Sequence, residues 1–125
     1  MNTKAIYTVH ENGKEHYFFS EHAGGFSYPF AVADFLHSLK GVLNDPMSPQ
    51  KGLCAAPMLE QMKGNYLFPE EIEGKELFTA VKKEQMFQLA VKEQASFGIE
   101  IDMEQDTVSF HFRAVSYTHL TLPTK

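Results

Sequence analysis

Residues 98–113, GIEIDMEQDTVSFHFR, carry the most regular pattern in the chain. Apolar and polar side chains alternate from Ile99 to Glu104, and the alternation resumes at Val108. A period of two is that of a strand with one buried face and one solvated face. The stretch therefore predicts an antiparallel hairpin with Gln105-Asp106 as its loop, which sets Glu100 opposite His111 on the solvated face.

A second hairpin is predicted over residues 4–20. Asn12-Gly13 separates two runs that are rich in aromatic and β-branched residues, and this dipeptide favours a two-residue turn of type I′. The resulting register sets His10 opposite Glu15 and Tyr7 opposite Phe18. Both faces of this hairpin carry apolar side chains, which indicates partial cover on both sides.

The middle of the chain is predicted to be helical. FAVADFLHSLKGVL, residues 30–43, has apolar residues at helical spacing after a proline that suits a first helical turn. PMLEQMKG, residues 57–64, is compatible with a short helix. Residues 73–98 are typical of a helix in composition and length, but their apolar stripe changes side near Lys83. A break at Lys83 and burial on two sides are both open alternatives.

This order of elements predicts a single α+β domain over residues 1–113. Two antiparallel β-hairpins form a small sheet that is packed by two main helices, in the order β-β-α-(α)-α-β-β. We expect a four-stranded antiparallel sheet with its helices on one face, which would bury the apolar side of the second hairpin. The chain of 125 residues is long enough for one core of this kind.

The composition of the chain disfavours two classes of binding partner, nucleic acids and membranes. The net charge is −5, Arg113 is the only arginine, and the lysines are scattered, so the basic face of a nucleic-acid binder is not expected. No stretch approaches the roughly 18 consecutive apolar residues of a membrane span. The N-terminal sequence lacks the apolar run of a signal peptide. We therefore expect a cytoplasmic protein without membrane contact.

No motif predicts catalytic residues, a cofactor or a metal. The six histidines show no HxH, HxxxH or HExxH spacing, and the hairpin register puts His10 and His16 on opposite faces of the sheet. Cys54 is the only cysteine, and its neighbours in GLCAAP are typical of a buried, inert thiol. The acidic residues are explained as a solvated strand face and as the first turn of a helix.

The loop HAGGFSYPF, residues 22–30, holds the candidate contact residues. Its paired glycines give the backbone conformational freedom, and its aromatic residues stand directly before a helix, as in some phosphate and peptide sites. The alternative is a connector whose aromatic side chains cap the core. The candidates for contact with a partner or ligand are His22, Gly24, Gly25, Phe26 and Tyr28.

Three functions are compatible with these features. The leading hypothesis is a small non-enzymatic protein-interaction or regulatory domain that binds an unknown protein through a sheet edge or the loop at Gly24-Gly25. The alternative is a small enzyme, or an enzyme subunit, that binds a small ligand at that loop with His22 and Tyr28. The third, binding of single-stranded nucleic acid, would use sheet aromatics such as Tyr7, Tyr17 and Phe19.

Residues 114–125 differ from the rest of the chain, because no charged residue occurs between Val115 and Thr124. AVSYTHLTLPT, from Ala114 to Thr124, resembles the in-frame translation of a transposase-based sequencing adapter, without a gap. The resemblance implies that 114–125 is translated adapter and that the native sequence beyond Arg113 is missing. Resequencing the source DNA across the Arg113 codon tests this expectation, which a native reading frame through VSYTHLTLPT would contradict.

Overall fold

The computed structural model describes residues 4–25, 27–47, 49, 53–64, 74–92 and 97–112. The strands are β1 (Ala5–Glu11), β2 (Lys14–Ser20), β3 (Thr79–Val81), β4 (Phe97–Asp102) and β5 (Thr107–Phe112). The α-helices are α1 (Tyr28–Leu43) and α2 (Lys83–Lys92), and a 3-10 helix spans Ala56–Gln61. The predicted adapter segment lies outside the described residues.

The strands form one mixed sheet in the order β3-β2-β1-β4-β5. Both hairpins are antiparallel, but they join through a parallel pairing of β1 with β4, in which Tyr7 lies opposite Ile99. The α+β class is confirmed, whereas the expected four-stranded antiparallel sheet is wrong. Parallel neighbours need a long crossover between them, and the helical middle of the chain supplies it.

The first hairpin has the predicted register. Tyr7 pairs with Phe18 and His10 pairs with Glu15. Asn12 and Gly13 have φ angles of 55° and 76°, which is the left-handed conformation that a type I′ turn requires at both central positions. The turn dipeptide therefore determines which residues of β1 and β2 face the core.

The second hairpin is shifted by two residues from its predicted register, so that Glu100 pairs with Ser109 and not with His111. The cause is a longer loop, residues 103–106. The Asp102 Oδ1 atom accepts backbone N–H bonds from Glu104 at 2.9 Å and from Gln105 at 3.1 Å. This side-chain turn replaces the expected two-residue loop. Because the shift is an even number of residues, each side chain keeps its predicted face.

The core lies between one face of the sheet, α1 and the 3-10 helix. The predicted helix over residues 30–43 is present within α1, whereas the short helix predicted over residues 57–64 is a 3-10 helix over Ala56–Gln61. Burial of the alternating strand residues against the helical stripe removes large apolar areas from water, which is the main favourable term in folding. The largest core side chains with no exposed area are Tyr7, Val9, Val32, Leu36, Leu59 and Ile99.

The predicted helix over residues 73–98 is wrong in its first part. Leu77 and Phe78 are buried, and the chain then continues as β3, which pairs with β2. The Phe78 ring lies edge-on to that of Tyr7, with centroids 5.1 Å apart. Burial of these two neighbours outweighs helix propensity, so the helix begins only at Lys83.

Helices cover both faces of the sheet, not one face as expected. The Thr8 hydroxyl lies 3.9 Å from Met86 Sδ of α2. Thr8 alternates with Tyr7 along β1 and so points away from the core. We call this second side of the sheet the outer face, and α2 covers only part of it.

Candidate functional site at the edge and outer face of the sheet

A row of polar side chains crosses the outer face from β2 to β5. The Tyr17 hydroxyl donates to Glu15, and Glu15 Oε2 lies 3.3 Å from His10 Nδ1. The other ring nitrogen of His10 lies 2.9 Å from Glu100 Oε1. The second oxygen of Glu100 lies 2.6 Å from His111 Nε2. These five residues form the outer polar network, and the predicted contact between Glu100 and His111 exists as a diagonal one.

Two members of the outer polar network, Glu100 and Tyr17, have pKa values that are shifted away from neutral pH. Hydrogen bonds lower the pKa of Glu100, and the bond with His10 has the largest effect. This carboxyl therefore stays ionised. The hydrogen bond to the Glu15 carboxylate raises the pKa of Tyr17 to about 12, so this hydroxyl stays protonated. An efficient general acid or base needs a pKa near the working pH. These shifts disfavour Glu100 and Tyr17 as proton-transfer groups near neutral pH, and the contacts of the network connect side chains of β1, β2, β4 and β5.

An open cleft of about 610 Å³ lies beside the network, at the end of the first hairpin. His10, Glu15 and Tyr17 line one part of it, and Asp102 and Glu104 line another. Carboxylates outnumber the single lysine of its lining, Lys14. Such a surface repels phosphates, which disfavours anionic small ligands at this cleft.

The three sheet aromatics named for binding of single-stranded nucleic acid, Tyr7, Tyr17 and Phe19, do not share one surface. Tyr7 is fully buried on the core face, whereas Tyr17 lies on the outer face among carboxylates. Stacking of bases requires exposed aromatic rings beside a positive groove. The hypothesis of nucleic-acid binding therefore loses Tyr7, and it stays a prediction for Tyr17 and Phe19, which lie on the same face of β2.

The loop at Gly24-Gly25 is packed on the core. Ala23, Gly24 and Gly25 are all buried, and the buried Tyr7 hydroxyl donates to the Ala23 carbonyl. The N–H of Ala23 donates to Ser20 Oγ at 3.0 Å. Both backbone polar groups of Ala23 are thus engaged within the protein.

The candidate side chains of this loop do not converge on a described cavity. His22 lies almost covered, and burial lowers its pKa. The N–H of Tyr28, at the start of α1, donates to the Gly25 carbonyl at 3.2 Å. Phe26 lies outside the described residues. Contact of this loop with a ligand or partner stays a prediction.

The longest open edge of the sheet belongs to β5. This strand is last in the sheet order, so its outer edge pairs with no strand among the described residues. Natural sheets commonly protect such edges with charges, prolines or very short strands. The sequence of β5, TVSFHF, has no Asp, Glu, Lys, Arg or proline over its six residues. The opposite edge, β3, is only three residues long.

An aromatic pair lies beside this edge. The rings of Phe30 from α1 and Phe110 from β5 have centroids 5.4 Å apart and planes inclined by 43°. Phe30 is 51% exposed, while Phe110 packs against the core. Sequence reasoning missed Phe30, although it is a large apolar residue off the core stripe of α1. A strand edge without a described strand partner and an exposed aromatic side chain thus occur together at β5.

Comparison of the chain with protein-family models, with curated proteins and with solved structures found no match. Within the parts of the chain that the structure describes, no helix has the length and apolar character needed to cross a membrane.

Proposed function

We propose that this chain is a non-enzymatic protein-interaction domain of the cytoplasm, which binds an extended segment of a partner protein along β5. The observation that carries the proposal is the outer edge of this six-residue strand, which no other described strand pairs with and which has no Asp, Glu, Lys or Arg. A partner strand that pairs there would satisfy backbone N–H and C=O groups that otherwise face water. The main-chain hydrogen bonds would supply affinity, and the flanking side chains would supply specificity.

The surroundings of β5 define the chemistry of that partner. Next to the edge on the core side lies the half-exposed ring of Phe30. On the outer face lie His111 and the carboxylate of Glu100. Since side chains alternate between the two faces of a strand, the partner segment would alternate apolar residues with polar or basic ones. Its apolar residues would cover Phe30.

The alternative, a small enzyme or enzyme subunit acting at Gly24-Gly25, has weaker support. The loop backbone is buried and hydrogen-bonded within the chain. The outer polar network places several titratable groups beside an open cleft. In this network the pKa of the Glu100 carboxyl is lowered and the pKa of the Tyr17 phenol is raised. Neither shift favours proton transfer near neutral pH.

A displayed library of random extended peptides, panned against the folded chain, tests the proposal. The selected peptides should perturb the backbone amide resonances of residues 107–112 when they are titrated into the labelled protein. Ser109→Lys places a charge at the exposed middle of β5 and should weaken peptide binding by about tenfold or more. Thr79→Lys places the same charge at the exposed opposite edge, β3, and should leave binding unchanged.

A second matched pair tests the aromatic anchor. Phe30→Ser should weaken binding of the same peptides, whereas Val42→Ser, at the far end of α1, should not, although Val42 is 65% exposed. Circular dichroism would verify that all four variants are folded. The proposal fails if no peptide is selected, if the peptides bind Ser109→Lys as tightly as wild type, or if their resonance shifts map away from β5.

A further inference from the structure

Three side chains with metal-ligating atoms converge on the core side of the first hairpin. A carboxylate oxygen of Glu11, a ring nitrogen of His16 and the Sγ atom of Cys54 all lie within 4.8 Å of one another. Glu11 ends β1, His16 lies in β2, and Cys54 precedes the 3-10 helix. The fold therefore assembles from three separate segments a cluster that no local spacing of histidines and cysteines reveals.

Two members of this cluster have unusual surroundings. Glu11 is fully buried, and its two oxygens accept the N–H groups of Ala55 and Ala56 at 2.8 and 2.9 Å. These bonds solvate the carboxylate only in part, and a buried anion is stabilised further by a cation. The Nε2 atom of His16 is buried and has no hydrogen-bond partner in the described part of the chain. A buried polar atom of this kind calls for a ligand, an ion or water.

We propose that Glu11, His16 and Cys54 bind a Zn²⁺ ion. Thiolate, imidazole and carboxylate are the three ligand types that zinc uses in proteins, whereas a thiolate disfavours Mg²⁺ and Ca²⁺. Zinc–ligand distances of about 2.0–2.3 Å put neighbouring ligand atoms roughly 3.5 Å apart. The three atoms would therefore draw together by roughly 1 Å from their present upper limit of 4.8 Å.

The groups around the cluster suit this ion. The Nδ2 group of Asn12 donates towards Cys54 Sγ at 3.6 Å, and this bond would orient a sulfur ligand of the ion. The N–H groups of Ala55 and Ala56 hold the Glu11 carboxylate in a fixed orientation. With one thiolate and one carboxylate, the site carries two negative charges that match the charge of Zn²⁺.

The fourth coordination position of the ion remains for water. His16 also lines a cavity of about 300 Å³, together with Pro57, Glu60 and Ala80. Three protein ligands with one open position is the arrangement of zinc sites that exchange a water ligand. The bound ion would tie both strands of the first hairpin to the segment that begins the 3-10 helix.

Cobalt and zinc titrations of the reduced, full-length chain test the site. We expect binding of one Co²⁺ per chain with a thiolate-to-metal absorption band in the near ultraviolet, displacement of cobalt by zinc chloride, and a thermal midpoint that rises with zinc concentration. Cys54→Ser should abolish the band, and His16→Gln should weaken Zn²⁺ binding by at least about tenfold. His111→Gln removes an imidazole from the outer face and should change neither.

Cys54→Ser is the decisive variant, because it is nearly isosteric and keeps both hydrogen bonds of Glu11. The assignment is overturned if wild type shows no thiolate band with Co²⁺. It is also overturned if Cys54→Ser binds Zn²⁺ as tightly as wild type, or if His111→Gln loses as much affinity as His16→Gln. The peptide-binding edge at β5 is separate from these residues, so either proposal can fail alone.

Discussion

The buried carboxylate of Glu11 should be one of the largest single polar contributions to stability in this fold. Glu11→Ala removes the acceptor of two backbone N–H groups, those of Ala55 and Ala56, and leaves both without a partner in a buried place. Each such unsatisfied group costs about 1–3 kcal/mol. Removal of the carboxylate also recovers part of its desolvation penalty. We therefore expect a loss of about 2–4 kcal/mol in the free energy of unfolding.

Glu11→Gln separates the charge from the shape. The carboxamide oxygen can still accept one of the two N–H groups, but its NH₂ group faces the other, so the expected loss is about 1–3 kcal/mol. Glu60→Gln is the matched control, because Glu60 is exposed on the 3-10 helix itself, and it should change stability by less than about 0.5 kcal/mol. The order of loss should be Glu11→Ala, then Glu11→Gln, then Glu60→Gln.

Urea denaturation followed by circular dichroism measures these differences. A chelator in every sample keeps the proposed zinc site from contributing, so that only the two hydrogen bonds are tested. If Glu11→Ala unfolds within about 0.5 kcal/mol of wild type, the two bonds do not stabilise the start of the 3-10 helix and the reasoning is refuted. A loss shared equally by Glu60→Gln would refute it too.

Three further predictions concern other parts of the fold. Hydrogen bonding, chiefly with His10, lowers the pKa of Glu100 from its usual 4.5. The ionised Glu100 therefore stabilises the fold above pH 4.5, and this stabilisation is lost as the pH falls through the lowered pKa. The free energies of unfolding of wild type and Glu100→Gln, measured in urea, should therefore differ by about 0.2–1 kcal/mol near pH 6, and the difference should shrink as pH falls below 4.5. A constant difference would contradict this assignment. Tyr7→Phe leaves a buried loop carbonyl without its donor and should lower the thermal midpoint by the equivalent of about 1–3 kcal/mol, while an unchanged midpoint would show that the bond contributes nothing. Gly13→Ala, at a φ of 76°, should destabilise the chain by about 1 kcal/mol, whereas Gly41→Ala, in an open position on α1, should stabilise it by about 0.5–1 kcal/mol, and the same sign for both would contradict the argument from backbone conformation.

Local signals in the sequence predict the pairing register of the first hairpin correctly at every residue. Asn12-Gly13 selects one turn type, and that turn sets every pair from Glu11 with Lys14 to Ala5 with Ser20. In the second hairpin, the side chain of Asp102 stabilises a longer loop, so a plausible two-residue turn misplaces the register. The alternation pattern still identifies the buried face, because faces depend only on whether a position is odd or even.

Long-range contacts account for what the sequence does not reveal. Residues 73–82 have the composition of a helix, but burial of Phe78 against Tyr7 and Phe18 decides their conformation. These two partners lie about 60–70 residues away along the chain. The parallel pairing of β1 with β4 likewise leaves no trace in either strand alone. Helix propensity and hairpin patterns describe neighbours in sequence, and neither rule ranks distant partners.

At the proposed sites, too, local sequence patterns predict some features and miss those that depend on distant contacts. The alternation of Tyr7, Val9 and Glu11 along β1 does place Glu11 on the core face, and this was a usable signal for a buried carboxylate. Its neighbour Cys54, by contrast, comes from an irregular segment whose path no local pattern indicates. Cys54 is also only half-buried, not fully buried as expected. Any open sheet has two edge strands, so the presence of an exposed edge could be predicted. The sequence does not indicate that β5 would be one of these edge strands.

The parallel junction of β1 and β4 has a consequence for how the chain folds during synthesis. The hairpin of β1 and β2 can close as soon as Ser20 has left the ribosome, yet the inner edge of β1 must wait for residues 97–102. Until then β1 presents an uncovered backbone and the apolar side chains of Tyr7 and Val9. Contacts this distant in sequence slow folding and expose strand edges to wrong partners. Nascent chains that end before β4 should therefore be the aggregation-prone species, and slower translation across the middle of the gene would lengthen their lifetime.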